Sequence, residues 1–479
     1  MKKHNITETL KDLGIKNIYF DSRKVTPGSA FFCIQYAQHY IKEAIDKGVS
    51  LIVCNTKTYS DSDVHIIIVD DVRTALAEAA GFLYPKKPQY MAAVTGTSGK
   101  TSVVDYFRQI AGYLGHKAAS IGTLGIYCSD PTIIIDNPEF TTNLTTPDVV
   151  TMHQILYFLA SKGVMHVAFE ASSHGIDQSR IANIFVNAAA FTSFSQDHLD
   201  YHDTIEAYKF AKLKLFSKNL KAGGTAVIAN ELMNDDDINN TFTGDGIFSN
   251  ENTNLVTVGK NAVVNIISCT PSITGQKIVF LYKNKEYRIL TPIIGSFQAT
   301  NLLIAASMLE SCGIKFDDIV TVLPLIIAVP GRLERMTDLK SPWHIFVDFA
   351  HKTGALEQTL SELRLLCKNK LHVVFGCGGD RDKTKRKIMG EIAARIADNV
   401  VVTDDNPRTE DPLSIRRDIL SGCTLAKEIG NRAEAIKYAI SQIQEGDILV
   451  IAGKGNEDYQ IIGTTKIHFD DREEVRRWL

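Results

Sequence analysis

No apolar run in this sequence reaches the roughly 18 residues that a bilayer-spanning helix needs, so membrane insertion is not expected. There is no C-x-x-C pair. The eight cysteines, at positions 33, 54, 128, 269, 312, 367, 377 and 423, are irregularly spaced. That argues against a zinc cluster or a disulfide framework and for reduced thiols in a cytoplasmic setting. Neither charge is in excess: 52 basic residues stand against 55 acidic ones, a formal net charge of -3. A general nucleic-acid binder is therefore not supported. The N-terminal lysines have no apolar stretch behind them, so a secretory leader is not expected. Internal repeats and low-complexity tracts are missing too. What remains is a chain of 479 residues, 44% apolar and 22% charged, with the composition of a globular enzyme. At about 150 residues per domain, it has room for about three.

The chain reads as α/β throughout. Residues 1–88 alternate short apolar segments (30–34, 51–54, 66–69) with helical patterns at 40–47 and 73–83, which predicts a small N-terminal α/β domain. Pro85 and Pro88 punctuate its end. Residues 89–329 carry buried-strand candidates at 90–94, 164–170, 188–194 and 225–230, separated by helices. They predict a central domain with a mostly parallel sheet. Residues 252–294, rich in Val, Ile and Thr, are expected to be antiparallel strands attached to it. After Pro330-Gly331, strand candidates at 343–348, 371–375, 399–403 and 447–451 predict a Rossmann-like C-terminal domain over residues 330–479.

The most specific motif is Gly96-Thr97-Ser98-Gly99-Lys100-Thr101, between an apolar strand and a helix. Backbone N–H groups at a helix N-terminus attract anions, and glycines admit a phosphate close to the chain. Lys100 can reach the outer phosphates of a nucleotide and the Thr101 hydroxyl can hold Mg²⁺. Val94 stands where the longer form of this loop has its first glycine. The plainer alternative is a glycine turn with an exposed lysine; the complete Gly-Lys-Thr context outweighs it.

Two acidic elements follow. Glu170 ends an apolar strand, a position suited to Mg²⁺ near a phosphate loop. His198 and His202 lie in the polar segment Gln196-Asp197-His198-Leu199-Asp200-Tyr201-His202, where a structural hydrogen bond is the commoner role and spacing alone leaves a metal ligand open. Together with the Glu170-Ala171-Ser172-Ser173-His174 segment, these motifs resemble the Mur ligases of peptidoglycan synthesis, and in particular the branch that completes the UDP-linked tripeptide. The likeness runs from Asp21-Ser22-Arg23 to Asp471-Arg472. The resemblance implies that Thr101 and Glu170 hold one Mg²⁺, that His198 helps hold a second, and that Lys212 is carbamylated. From its own surroundings Lys212 reads as a solvated helix lysine.

The resemblance also assigns the substrate residues. It implies a uridine-binding N-terminal domain with Ser22, and contacts from Thr145, Thr146, Ser172, Gln178 and Arg180 to the UDP-sugar-peptide. ATP would be met by Gly96, Thr97, Ser98, Gly99, Lys100, Thr101, Asn301, Arg332 and Asp348. Arg381, Asp405, Asn406, Pro407, Arg408, Gly453 and Glu457 would form the amino-acid site. The Asp405-Asn406-Pro407-Arg408 string matches family members that select meso-diaminopimelate over L-lysine. An arginine suits the extra distal carboxylate, and Glu457 suits the distal ammonium. The chain departs from the family pattern at Gln298, Lys352, Lys387 and Asn456, and its uridine loop is trimmed between residues 35 and 40.

The expected activity is an ATP-dependent amide ligation. Meso-diaminopimelate joins the D-Glu γ-carboxylate of UDP-MurNAc-L-Ala-D-Glu through an acyl phosphate, catalysed by Lys100, Lys212, His198 and Glu170 in a cytoplasmic monomer. The alternatives are the same chemistry with L-lysine, a folylpolyglutamate-type ligase, and a nucleotide-switched binding protein.

Overall fold

The computed structural model describes residues 5–35, 38–56, 64–140, 144–199, 201–243 and 253–479. Residues 36 and 37 of the trimmed loop and Asp200 lie outside the described residues. Three large β-layers follow one another along the chain, each with helices packed on it. The first is a four-stranded parallel sheet of Ile18–Tyr19, Ala30–Phe32, Leu51–Cys54 and His65–Ile68. Its core includes Leu10, Phe32, Leu51 and Leu76, and extends to Val149 and Val150 on the helix Val149–Ser161 of the next unit.

The central sheet has ten strands. Val186–Phe191, Tyr90–Thr95 and His166–Glu170 lie side by side in its middle, all parallel. Their residues are almost wholly buried, as expected of parallel strands covered by helices on both faces. Outward from Val186–Phe191 come Leu220–Ala229, Asn254–Gly259, Val264–Ser272, Gly275–Tyr282 and Lys285–Thr291. The expectation of antiparallel strands over residues 252–294 needs correcting here. Asn254–Gly259 runs parallel to Leu220–Ala229 and also pairs in parallel with Val264–Ser272; only the last two pairings are antiparallel. The helix Asp236–Thr243 lies between the two parallel strands in sequence, and such a crossover returns the chain in the same direction. On the other flank, Ala118–Gly122 and Gly125–Cys128 complete the sheet.

The third sheet orders Glu334–Arg335, His344–Asp348, Ile448–Ala452, Leu371–Phe375, Asn399–Val402 and Lys427–Glu428, parallel except at its first pair. All eight cysteines are free thiols. Among the described residues no helix is long and apolar enough to cross a membrane.

This topology places the motifs. In open parallel sheets, ligands bind outside the C-terminal ends of the strands. The phosphate loop, Glu170 and the Thr192–His198 stretch leave three adjacent strand ends of the central sheet. Asp348, Gly453 and the loops that follow Phe375 and Val402 leave four adjacent strand ends of the third.

Candidate active site

The phosphate loop is a tight turn closed by the helix Lys100–Tyr113. Gly99 caps that helix at φ 86°, a left-handed conformation that favours glycine. A Cβ at Gly96 would collide with Thr192 Oγ1, and one at Gly99 would fall 2.7 Å from Asn301 Oδ1. The loop is pinned to its neighbouring strand end by Thr97 N donating to Ser193 O (2.8 Å), Ser98 N to Ser193 Oγ (2.9 Å) and Thr192 Oγ1 to Ser98 O (2.5 Å). Lys100 folds over the loop and donates to Gly96 O (2.7 Å) and Thr97 O (3.3 Å). Burial, with help from Lys352, lowers its ammonium to about 8.

Glu170 is 1% exposed and lies beside the loop. Its Oε1 accepts from Thr101 Oγ1 (3.0 Å) and Thr123 N (2.8 Å), and its Oε2 from Thr123 Oγ1 (3.3 Å). A Cβ at Gly122 would collide with the carboxylate, so that glycine makes the cradle in which Glu170 sits. Thr123 had no signal in the sequence; it stands on a turn between two short strands.

Lys212 is not a solvated lysine. It is 1% exposed and lies under the loop, donating to Gly96 O (3.1 Å) with its Nζ 4.3 Å from the Tyr208 ring centroid. Burial, then Lys100 and Lys352, lower its pKa well below the ordinary lysine value. His198 adopts φ 53° and packs against His174 and Tyr208. Its Nε2 is 3.1 Å from Asp197 Oδ2. Burial lowers the ring to about 4 against the opposing pull of Asp197, so it is neutral at pH 7. Among the described residues, no three His, Cys, Asp or Glu side chains form a ready-made metal cluster.

Arg332 reaches this site from the third unit and donates from Nη2 to Thr101 Oγ1 (3.2 Å), with its guanidinium 4.0 Å from the Phe349 ring centroid. Asp348 anchors the turn that carries it. Its Oδ2 accepts from Leu333 N (2.7 Å), and its Oδ1 from Ala350 N and Thr359 Oγ1 (both 3.0 Å). Gln298 is buried, and its Oε1 accepts from Tyr106 Oη and from Asn301 Nδ2 (both 3.1 Å), which orients Asn301 towards Gly99.

The residues assigned to the UDP-linked substrate gather next to Glu170. Thr146 Oγ1 donates to Glu170 O (2.9 Å) and lies 3.1 Å from Ser172 Oγ. Thr145 Oγ1 is 3.2 Å from Thr123 Oγ1. Arg180 donates to Thr146 O (3.0 Å) and to Gln178 Oε1 (2.7 Å), which holds its guanidinium at the group's edge. Arg73 of the first unit donates to Gln178 O (3.2 Å). Ser22 remains within the first unit, its hydroxyl donating to Glu43 Oε2 (2.5 Å).

The amino-acid residues form a second group. A Cβ at Gly379 would collide with Pro407 O, and one at Gly378 would lie 2.9 Å from Arg408 Nη1. The glycine turn after Phe375 therefore packs directly on the Asp405–Arg408 string. Arg408, at φ 52°, donates from Nη1 to Gly379 O (2.8 Å). Its backbone pairs with the hairpin strand Tyr459–Ile462 through Ile461 O. Asn406 Nδ2 donates to Glu457 Oε2 (3.0 Å). Asp405 O accepts from Gln460 Nε2 (2.6 Å), and the Asp405 carboxylate faces Gly453. Arg381 is exposed on the same turn. Lys454, given no role from sequence, is 0% exposed and donates to Glu457 Oε2 (3.1 Å) and Asn406 Oδ1 (3.3 Å).

The chain matches two family models, the Mur ligase middle domain over residues 94–309 and the Mur ligase glutamate ligase domain over residues 331–455. It is 46% identical over 485 residues to a UDP-N-acetylmuramoyl-L-alanyl-D-glutamate–2,6-diaminopimelate ligase of Rickettsia montanensis, covering 99% of this chain and 98% of that one. A solved structure of a ligase of the same name superposes with a TM-score of 0.69 at 32% identity, over 97% of this chain and 94% of that one. The MurF ligase of Thermotoga maritima in complex with ADP shares the fold, with a TM-score of 0.63 at 17% identity over 98% and 97%.

Proposed function

The chain belongs to the Mur ligase family, and from that premise we propose its reaction: it is a UDP-N-acetylmuramoyl-L-alanyl-D-glutamate–2,6-diaminopimelate ligase, an ATP-dependent enzyme of peptidoglycan precursor synthesis. The terminal phosphoryl group of ATP passes to the D-Glu γ-carboxylate, and ADP leaves. An amine of meso-diaminopimelate attacks the acyl carbon, loses a proton, and expels inorganic phosphate as the amide forms. Activation is required because a carboxylate is a poor electrophile. The observation that carries the reading is the meeting of Arg332, from the unit with the amino-acid residues, and Thr101 of the phosphate loop.

Each group of residues has a part. Loop amides and Lys100 cradle the phosphates of ATP, and Arg332 adds charge where phosphoryl transfer occurs. Thr145, Thr146, Ser172, Gln178 and Arg180 hold the UDP-linked substrate, with Ser22 at its uridine end. Arg408 and Asn406 take the distal carboxylate of diaminopimelate, and Glu457 takes its distal ammonium; Arg381, Asp405, Pro407 and Gly453 shape that pocket. Glu457 already receives the Lys454 ammonium, so its carboxylate is oriented towards a cation.

Thr101 and Glu170 fit one Mg²⁺. They offer a hydroxyl and a buried carboxylate about which the glycine at 122 leaves room, an oxygen set that suits a hard cation. His198 would serve a second ion together with Lys212 as its carbamate, since the free amine alone is no counterpart to a cation. Bound there, Mg²⁺ would neutralise and orient phosphate oxygens. Its proposed substrates, ATP and a nucleotide-linked sugar, support a cytoplasmic setting for the reaction.

Purified protein given ATP, Mg²⁺, UDP-MurNAc-L-Ala-D-Glu and meso-diaminopimelate should release one phosphate per tripeptide formed, and much more slowly with L-lysine. Phosphate release indifferent to diaminopimelate would refute the assignment.

A further inference from the structure

Lys352 crosses from the third unit to the phosphate loop. It precedes the helix Thr353–Leu366 in the capping position, yet its side chain makes no capping bond there. Its Nζ lies 2.5 Å from Asp197 Oδ2 and 3.3 Å from Thr97 O. Lys100 donates to the same Thr97 carbonyl, and Lys100 and Lys212 share the carbonyl of Gly96. Lys352 is 19% exposed, as is Asp197.

The charge balance of this corner favours an anion. Lys100, Lys352 and Arg332 converge on the loop and Thr101, against the carboxylates of Glu170 and Asp197. Two amines held on one carbonyl oxygen suffer a mutual repulsion. A phosphoryl group between them would remove it. Asp197 meanwhile holds Lys352 in position.

We propose that Lys352 is a further catalytic residue of the ligase, a second phosphate-facing cation that the C-terminal unit brings to the transferring phosphoryl group and that Asp197 holds in position. The inference rests on the ligase reading above. In the transfer step the bond from the γ-phosphorus to its bridging oxygen breaks, leaving its electron pair on ADP, and a bond to the carboxylate oxygen forms. Lys352 keeps its proton throughout and supplies charge alone. Because Lys352 arrives with the unit that carries the amino-acid pocket, full electrostatic stabilisation would exist only when that unit is docked. This arrangement ties phosphoryl transfer to a site closed against water.

The test is a partial reaction. Exchange of labelled ADP into ATP, with the UDP-linked dipeptide present and diaminopimelate absent, reads acyl-phosphate formation by itself. In Lys352→Met, exchange and kcat should both fall by about 100-fold, the size of losing one preorganised transition-state charge. KM for diaminopimelate should stay within about twofold, since the variant leaves that pocket intact. Lys352→Arg should recover most of the exchange, whereas a merely structural role would show as a lower melting temperature with no selective loss of exchange. Exchange in Lys352→Met within about threefold of the unaltered enzyme, with that enzyme fully active in the complete assay, overturns the role of Lys352 alone. No diaminopimelate-dependent phosphate release from the unaltered enzyme overturns the ligase reading and this inference together.

Discussion

The Arg332 guanidinium donates to the Thr101 hydroxyl at 3.2 Å, across a sequence separation of 231 residues. Thr101 is in turn bonded to Glu170, so a residue of the third unit is two hydrogen bonds from the carboxylate proposed to hold Mg²⁺. Arg332 therefore reports docking as well as supplying charge. Arg332→Ala should lower kcat/KM for ATP by about 100- to 1,000-fold, or about 3–4 kcal/mol of transition-state stabilisation. Arg332→Lys should recover only part of it, because a point charge cannot both stack on Phe349 and reach Thr101. Steady-state kinetics with a folding check by circular dichroism decides; an Arg332→Ala enzyme with normal turnover would remove Arg332 from the site.

Amino-acid choice should follow the Arg408 and Glu457 pair. Arg408 is fixed by Gly379 O and by backbone pairing with the neighbouring hairpin, so its guanidinium is preorganised. With L-lysine bound, that charge would be left without its carboxylate, which costs more than a missing contact. Arg408→Met should lower kcat/KM for diaminopimelate by about 100-fold or more while changing that for L-lysine by less than about tenfold. Glu457→Gln should chiefly raise KM for diaminopimelate. Competition between the two amino acids in one reaction reads both effects.

Acid should destabilise the protein through His153. Its ring is fully buried, with Nε2 3.1 Å from Ala182 O, and burial assisted by Lys87 lowers it to about 4. The ordinary histidine value in the unfolded chain is 6.5. Between those values the unfolded state takes up a proton that the folded state refuses, so stability falls as pH drops through that window. The full effect is about 3 kcal/mol at pH 4 and vanishes above pH 7. His153→Gln, which can still donate to Ala182 O, should flatten the acid limb of the urea-midpoint profile by about one proton. An unchanged slope would assign the acid sensitivity elsewhere, with His166, also lowered to about 4 by burial, the next residue to replace.

Local pattern made part of this site legible. A Gly-Lys-Thr string between a buried strand and a helix has few other uses, and Glu170 ends a strand directly after Val167, Ala168 and Phe169. The strands Ala118–Gly122 and Gly125–Cys128 give little signal because both are short, and the first is mostly Ala, Ser and Gly. Thr123, which they present to Glu170, was lost with them. The first strand after residue 252 was misread because its direction depends on a crossover helix, and a strand's own residues do not encode direction. Lys352 was visible only as a departure from the family pattern. It meets Thr97 and Asp197 only where the third unit docks on the second, a relation no local window contains.

Lys212 puts the hardest question to the proposed chemistry. The helix Ile205–Asn219 carries apolar and charged residues on several sides, so nothing in its periodicity marks one lysine as buried. In the fold it is sealed under the phosphate loop, and burial together with Lys100 and Lys352 leaves its amine readily deprotonated. A neutral buried amine is nucleophilic and can bond the carbon of CO₂ with loss of a proton. The resulting carbamate is an anion placed among cations, which reverses the repulsion that the free ammonium would suffer there. Lys212→Ala should lower turnover by at least about 100-fold, and formate or acetate at tens of millimolar should restore part of it by occupying the vacated volume with a carboxylate. Lys212→Arg should be as inactive and beyond rescue, because it keeps the positive charge and fills the space. Rescue by methylamine, with none by carboxylates, would mean that the site uses Lys212 as a cation and that no carbamate forms.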